Sequence, residues 1–183
     1  PPESIVIRAG SPDVELARVA STATTGLIVL GGRADGDSSS PGHVARFVAR
    51  NATAPVVVTS PPAPSRRVVA ASDLRDERYP VLRAAAALAV ALGARATAMH
   101  NVEASAGEPT GSSERLLEGV ARSACFDEAL VTREPSAPRG ISSIARQTDA
   151  DVLVVGVRPY GGETFASVLA SESRTVVAVP IAS

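Results

Sequence analysis

Residues 16–21 (LARVAS) can be laid over residues 141–146 (ISSIAR) at an offset of 125 positions. At the same offset Ile5 and Val6 fall on Leu130 and Val131, Arg8 falls on Arg133, and residues 27–31 (LIVLG) fall on residues 152–156 (VLVVG). Beyond that glycine the later copy is five residues shorter, so Gly42 meets Gly162 and residues 56–58 meet residues 176–178. A single match between Val-rich runs is weak, but an ordered series with one length change marks a duplicated unit. Such a chain has to bury the same kind of surface twice.

Each copy reads strand, helix, strand, glycine, helix, strand. Residues 5–8 form a short apolar run, which predicts a strand. Ser11-Pro12-Asp13 predicts a helix start, with a capping hydroxyl, a proline in the first turn and an acid near the positive end of the helix dipole. Leu16, Val19, Ala20 and Ala23 then share one helical face. Residues 27–30 are continuously apolar, as strands buried on both faces of a parallel sheet are. The later copy also has a front half that the earlier one lacks. Residues 67–72 and 95–101 predict strands, and helical stripes run through Leu82, Ala85, Ala86 and Ala89 and through Leu116, Val120, Ala121 and Ala124. The complete unit is β-α-β-α-β-α-β-α-β from about residue 66 to 181, an α/β pattern with right-handed crossovers. The expected division is a back-half unit over residues 1–60, a Pro-rich linker over 61–65 and a complete unit over 66–183.

Composition removes several chemistries. All 18 basic residues are Arg, so a Walker lysine, a Schiff-base lysine and a Ser-x-x-Lys pair are excluded. One cysteine, Cys125, allows no disulfide within the chain, and with only His43 and His100 a zinc site is not expected. A net charge of −1 argues against nucleic acid as a partner. The most apolar run, residues 84–94, is shorter than the roughly 20 residues that cross a bilayer, so no membrane segment is expected in this chain. No Gly-x-Ser-x-Gly elbow or other catalytic constellation is present, which predicts a protein that is not an enzyme.

Residues 68–73 (VVAASD) resemble the first strand of the universal stress protein family, which ends in an Asp. Leu92-Gly93-Ala94 followed by Met99-His100-Asn101-Val102 is similar to the end of that family's first helix and its second strand. Residues 150–156 (ADVLVVG) resemble its fourth strand. The resemblance implies a Rossmann-like, five-stranded parallel sheet in the order 3-2-1-4-5 with helices on both faces, and association through strand 5. Residues 54–59 and 175–179 are then expected to meet as an antiparallel pair, so that the partner is the chain's own tandem repeat or a second copy. In that order the strand at residues 5–8 has no neighbour, because strands 2 and 1 would have to lie between it and residues 27–30. The expectation is that roughly 60 further residues precede Pro1 in the parent protein.

A ligand in such a sheet sits beyond the strand ends where chain order reverses. The resemblance places that site at Asp73, Gly156 and Gly162 in the later copy, and at Gly31 and Gly42 in the earlier one. ATP-binding members carry Gly-x2-Gly-x9-Gly followed by Ser or Thr, whose backbone N–H groups cradle phosphates. This chain departs from that pattern. Pro159 replaces the second Gly and removes a donor, five residues separate Gly156 from Gly162, and Glu163 replaces the hydroxyl. In the earlier copy Ala34 replaces the second Gly and His43 follows Gly42. Asp73 therefore reads first as a strand-end turn or cap residue, the glycines as turn glycines, and His100 as structural. The sequence thus reads as a non-enzymatic, cytoplasmic stress-response module with a degenerate nucleotide loop and no resident cofactor. The alternatives are the regulatory tail of a membrane transporter and an ATP-binding sensor.

Overall fold

The computed structural model describes residues 5–22, 25–31, 43–59, 66–103, 111–158 and 163–181. Among these residues seven strands form one sheet. They are β1 (Ile28–Gly31), β2 (Val56–Thr59), β3 (Arg67–Ala71), β4 (Arg95–Asn101), β5 (Glu128–Thr132), β6 (Val152–Val157) and β7 (Thr175–Pro180), in the spatial order β1-β2-β7-β6-β3-β4-β5. The run from β5 to β7 is the expected 3-2-1-4-5 order, all parallel, with β3 flanked on both sides. Beyond it β7 pairs antiparallel with β2, and β1 pairs parallel with β2 at the border. The register sets Val57 opposite Val177, two residues that the internal alignment matches. The Pro-rich linker lies outside the described residues.

Among the described residues six helices cover the sheet: α1 (Pro12–Ala20), α2 (His43–Asn51), α3 (Pro80–Leu92), α4 (Ser112–Ser123), α5 (Ala137–Gln147) and α6 (Glu163–Ser171). On one face a single apolar cluster runs from Ala20, Val48 and Val56 through Val176 to Phe165, Leu153 and Ile141, so α2, α5 and α6 share one core. On the other face α3 and α4 close a second cluster around Val68, Leu82, Leu117, Val154 and Val177. The starts of α3 and α5 follow from proline near their first positions. The stop of α3 follows from Gly93 at φ +60°, whose turn lets Ala94 N–H donate to Ala89 O at 2.9 Å.

Four expectations need correction. Residues 5–8 form no strand: Ile5, Val6 and Ile7 are 83, 70 and 93% exposed. A lone strand with nothing on either side leaves its backbone groups to water. Residues 27–30 are not buried on both faces, because β1 is a border strand whose Val29 is 61% exposed. Helix α1 buries Ala17 and Ala20 rather than Leu16 and Val19, since its contacts are with α2 and small residues permit the close approach; Ala23 lies outside the described residues. Helix α4 buries Leu117 and leaves Leu116 exposed; Leu117, Val120, Ala121 and Ala124 have the i, i+3, i+4, i+7 spacing that a stripe starting at Leu116 lacks.

The predicted cap at Ser11 also takes another form. Its hydroxyl makes no bond to a helix N–H and donates instead to the Asp13 carboxylate. Asp13 Oδ1 also accepts from Val14 N–H at 2.9 Å, and Oδ2 lies 3.0 Å from His43 Nε2, which ties α1 to α2. The Ser11 hydroxyl, followed by Val14 N–H and His43, holds the Asp13 carboxyl below its ordinary value against the opposing effect of desolvation.

Leu117→Ala is expected to cost about 2–5 kcal/mol in urea unfolding, whereas Leu116→Ala costs under about 1 kcal/mol. Because the Asp13 pKa is lowered on folding, its stabilising contribution is present above the unfolded value of about 3.9 and is lost as pH falls through the folded value. Acid titration of the unfolding midpoint should therefore lose one component in Asp13→Asn.

Candidate functional site

The chain leaves β3 through α3 on one face and reaches β6 through α5 on the other, so the connections diverge between these two adjacent strands. Peptide planes and helices then part beyond the strand ends, and a crevice opens there. Its volume is about 630 Å³, within the range of small-molecule sites. Asp73, Gly156 and Arg158 line it, as do His100 and Asn101 at the end of β4, and Glu163 and Thr164 at the start of α6.

Asp73 sits just past β3 in a tight turn. Its Oδ1 accepts from Arg75 N–H at 3.1 Å, while Leu74 N–H donates to Ser72 Oγ at 3.1 Å. These two side-chain bonds support Leu74 at φ +59°, a left-handed conformation that Leu rarely adopts alone. Asp73 Oδ2 accepts from Arg158 Nη2 at 2.6 Å, so an ion pair bridges the ends of β3 and β6. Both side chains are half-exposed, and such a pair is worth about 0–1 kcal/mol. The turn reading of Asp73 is thus realised in its hydrogen bonds.

Gly156 lies within β6 rather than after it. A Cβ there would come 2.0 Å from Ile181 Cδ1 and 3.2 Å from Val81 Cγ2, so the missing side chain makes room for Ile181 at the crevice floor. Gly31, its partner in the alignment, closes β1 with open space around it. Packing, not a shared turn, distinguishes the two. Gly42, Gly162 and Pro159 lie outside the described residues, as do the loop after Arg158 and the one before His43.

His100, which the sequence reads as structural, places its Nδ1 2.8 Å from Ser72 O. A carbonyl only accepts, so Nδ1 carries the hydrogen and the ring anchors the Asp73 turn. Sequence reasoning misses Asn101. Its Oδ1 accepts from Thr132 Oγ1 at 2.8 Å and from Glu134 N–H at 3.0 Å, and its Nδ2 donates to Glu134 O at 3.2 Å. Gly140 in α5 permits this clamp, since a Cβ there would lie 2.5 Å from Asn101 Oδ1. Thr164 escapes a motif reading because the expected hydroxyl position holds Glu163; the next residue along also lines the crevice. Arg50, from α2, lines it as well, and nothing local in the sequence links it to residues more than a hundred positions away.

The charges are mixed: Arg50, Arg75 and Arg158 against Asp73, Glu103 and Glu163. Among the described residues no group of three or more His, Cys, Asp or Glu could hold a metal ion, and no helix is long and apolar enough to cross a membrane.

No family model matches the sequence, and no curated protein matches it. Solved structures do match the fold. A Pseudomonas aeruginosa UCBPP-PA14 protein described as a universal stress protein superposes with a TM-score of 0.73 at 16% identity, covering 94% of this chain and 69% of that one. A universal stress protein from Archaeoglobus fulgidus DSM 4304 gives 0.69 at 19% identity, covering 93% and 66%. A further Archaeoglobus fulgidus universal stress protein, in complex with dAMP, gives 0.50 at 21% identity over 63% of this chain and 97% of its own. The chain spans 69% and 66% of the length of the first two. At such identities the likeness is one of architecture, and this chain has the universal stress protein fold.

Proposed function

We propose that this chain is a non-enzymatic regulatory module of the universal stress protein kind, whose crevice takes a nucleotide with fewer phosphates than ATP. The observation that carries the reading is the crevice of about 630 Å³ at the point where connections diverge between β3 and β6. The dAMP held by a protein of the same fold supports a mononucleotide as occupant. The sequence of the adjoining loop argues against a triphosphate. Five residues separate Gly156 and Gly162, Pro159 offers no N–H, and Glu163 brings a carboxylate to the mouth of the crevice. A like charge at about 4 Å from a phosphate costs on the order of 1–4 kcal/mol. The β2–β7 pairing supports the tandem reading, because it joins matched strands about Val57 and Val177.

Isothermal titration tests this directly. AMP should bind, and Mg-ATP should bind more weakly than about 100 μM, which corresponds to roughly −5.5 kcal/mol. ATP binding tighter than that would overturn the reading of the loop, and silence with AMP would overturn the nucleotide itself. Gly156→Ala forces Ile181 from the crevice floor and should cost about 1–3 kcal/mol in thermal or urea unfolding without any nucleotide present.

A further inference from the structure

Arg50 reaches the crevice only because of how β2 meets β7. The antiparallel register sets Val56, the first residue of β2, opposite Ala178 near the end of β7. The α2–β2 connection therefore lies at the same end of the sheet as the ends of β6 and β7, where the crevice opens. Arg50 occupies the last turn of α2, and its side chain lines the crevice with Arg158, Glu163 and Thr164.

The three arginines at the crevice differ in their commitments. Arg158 is engaged with Asp73, whereas no ion pair among the described residues involves Arg50 or Arg75, both exposed; Arg75 belongs to the Asp73 turn through its backbone N–H, and Arg50 alone comes from the β2 side of the seam. The internal alignment also separates Arg50 from its helix. Ala45, Val48 and Ala49 of α2 match Phe165, Val168 and Leu169 of α6, all buried, while Arg50 matches Ala170. The helices thus share their core positions, and the guanidinium is not part of what they share.

The geometry points to Arg50 as the residue that reads the ligand's anionic group in the crevice, supplied from across the β2–β7 seam. This rests on the nucleotide reading above and adds to it the recognition residue and a consequence. A guanidinium offers a planar fork of N–H donors that fits phosphate oxygens two at a time. The nucleoside portion lies between the ends of β3 and β6, and the phosphate faces α2. A ligand gripped from both sides of the seam binds only the paired arrangement, so its binding stabilises that pairing by mass action. The competing role for Arg50 is to complement the negative end of the α2 dipole, which would be the same with or without ligand.

The test uses the full chain and Arg50→Gln, titrated calorimetrically with AMP and with adenosine, together with amide exchange at Val57 and Val177. The expected result is AMP affinity lowered about tenfold in the variant with adenosine affinity unchanged. AMP should also slow exchange at Val57 and Val177 in the parent chain and not in the variant, while the unfolding midpoint without ligand stays the same. Equal AMP affinity in the two proteins would overturn the role of Arg50 and leave the nucleotide reading standing. Absence of both AMP and adenosine binding to the parent chain would overturn that reading and this inference together.

Discussion

The antiparallel pairing of β2 with β7 is the constraint on which the rest of the architecture hangs. Without it β1 and β2 would be a two-stranded parallel ribbon with two helices, too little to bury a core of its own. With it, Val48 and Val56 join the apolar cluster that holds Phe165, Val168 and Val176, and one core crosses the seam. The pairing also converts two exposed Val-rich edges into an interior ladder, removing surfaces that would otherwise invite uncontrolled association. It has a cost at the other end. The open border moves to β1, and the face around Leu27 and Val29 stays exposed because α3 and α4 cover only the strands from β7 to β5.

The crevice is shaped by satisfied polar groups more than by free ones. Asp73 spends one oxygen on the Arg75 backbone and the other on Arg158. His100 and Asn101 spend theirs on Ser72 O and on the segment after β5. These bonds hold the strand ends in place, so the cavity between β3 and β6 is preformed. Arg50 at the end of α2 and Arg75 in the Asp73 turn line the same crevice, and no ion pair among the described residues involves either guanidinium.

Much of the fold is legible in the amino-acid sequence, because period and order are local properties. Strand β4 falls on residues 95–101 as read, and the strand–helix alternation from residue 66 to 181 is intact. The buried face of α1 takes Ala17 in place of Leu16 and Val19, and that of α4 takes Leu117 in place of Leu116. Leu16 and Ala17, or Leu116 and Leu117, are adjacent on a helix and apolar alike, and only the neighbouring element decides which is buried. Residues 5–8 carry strand-like side chains and yet form no strand, because a strand needs a partner and none of the described segments offers one. At the site, Asp73 can be found from its place at a strand end. Asn101, Gly140 and Ile181 cannot, since their importance lies in contacts between segments far apart in the chain.

By itself, then, the sequence determined the strand–helix alternation from residue 66 to 181, the lysine and disulfide chemistries that an Arg-only chain with one cysteine lacks, and the strand end at Asp73 beside which the crevice opens. Those follow from residue type and spacing, which exist in the unfolded chain too. Tertiary structure alone decided that two matched edges meet antiparallel, that Gly156 makes room for Ile181 while no described residue crowds Gly31, and that α2 sends an arginine into the crevice. The reason is that register and proximity are properties of pairs of segments. The sequence names the members of such pairs, and only packing brings them together.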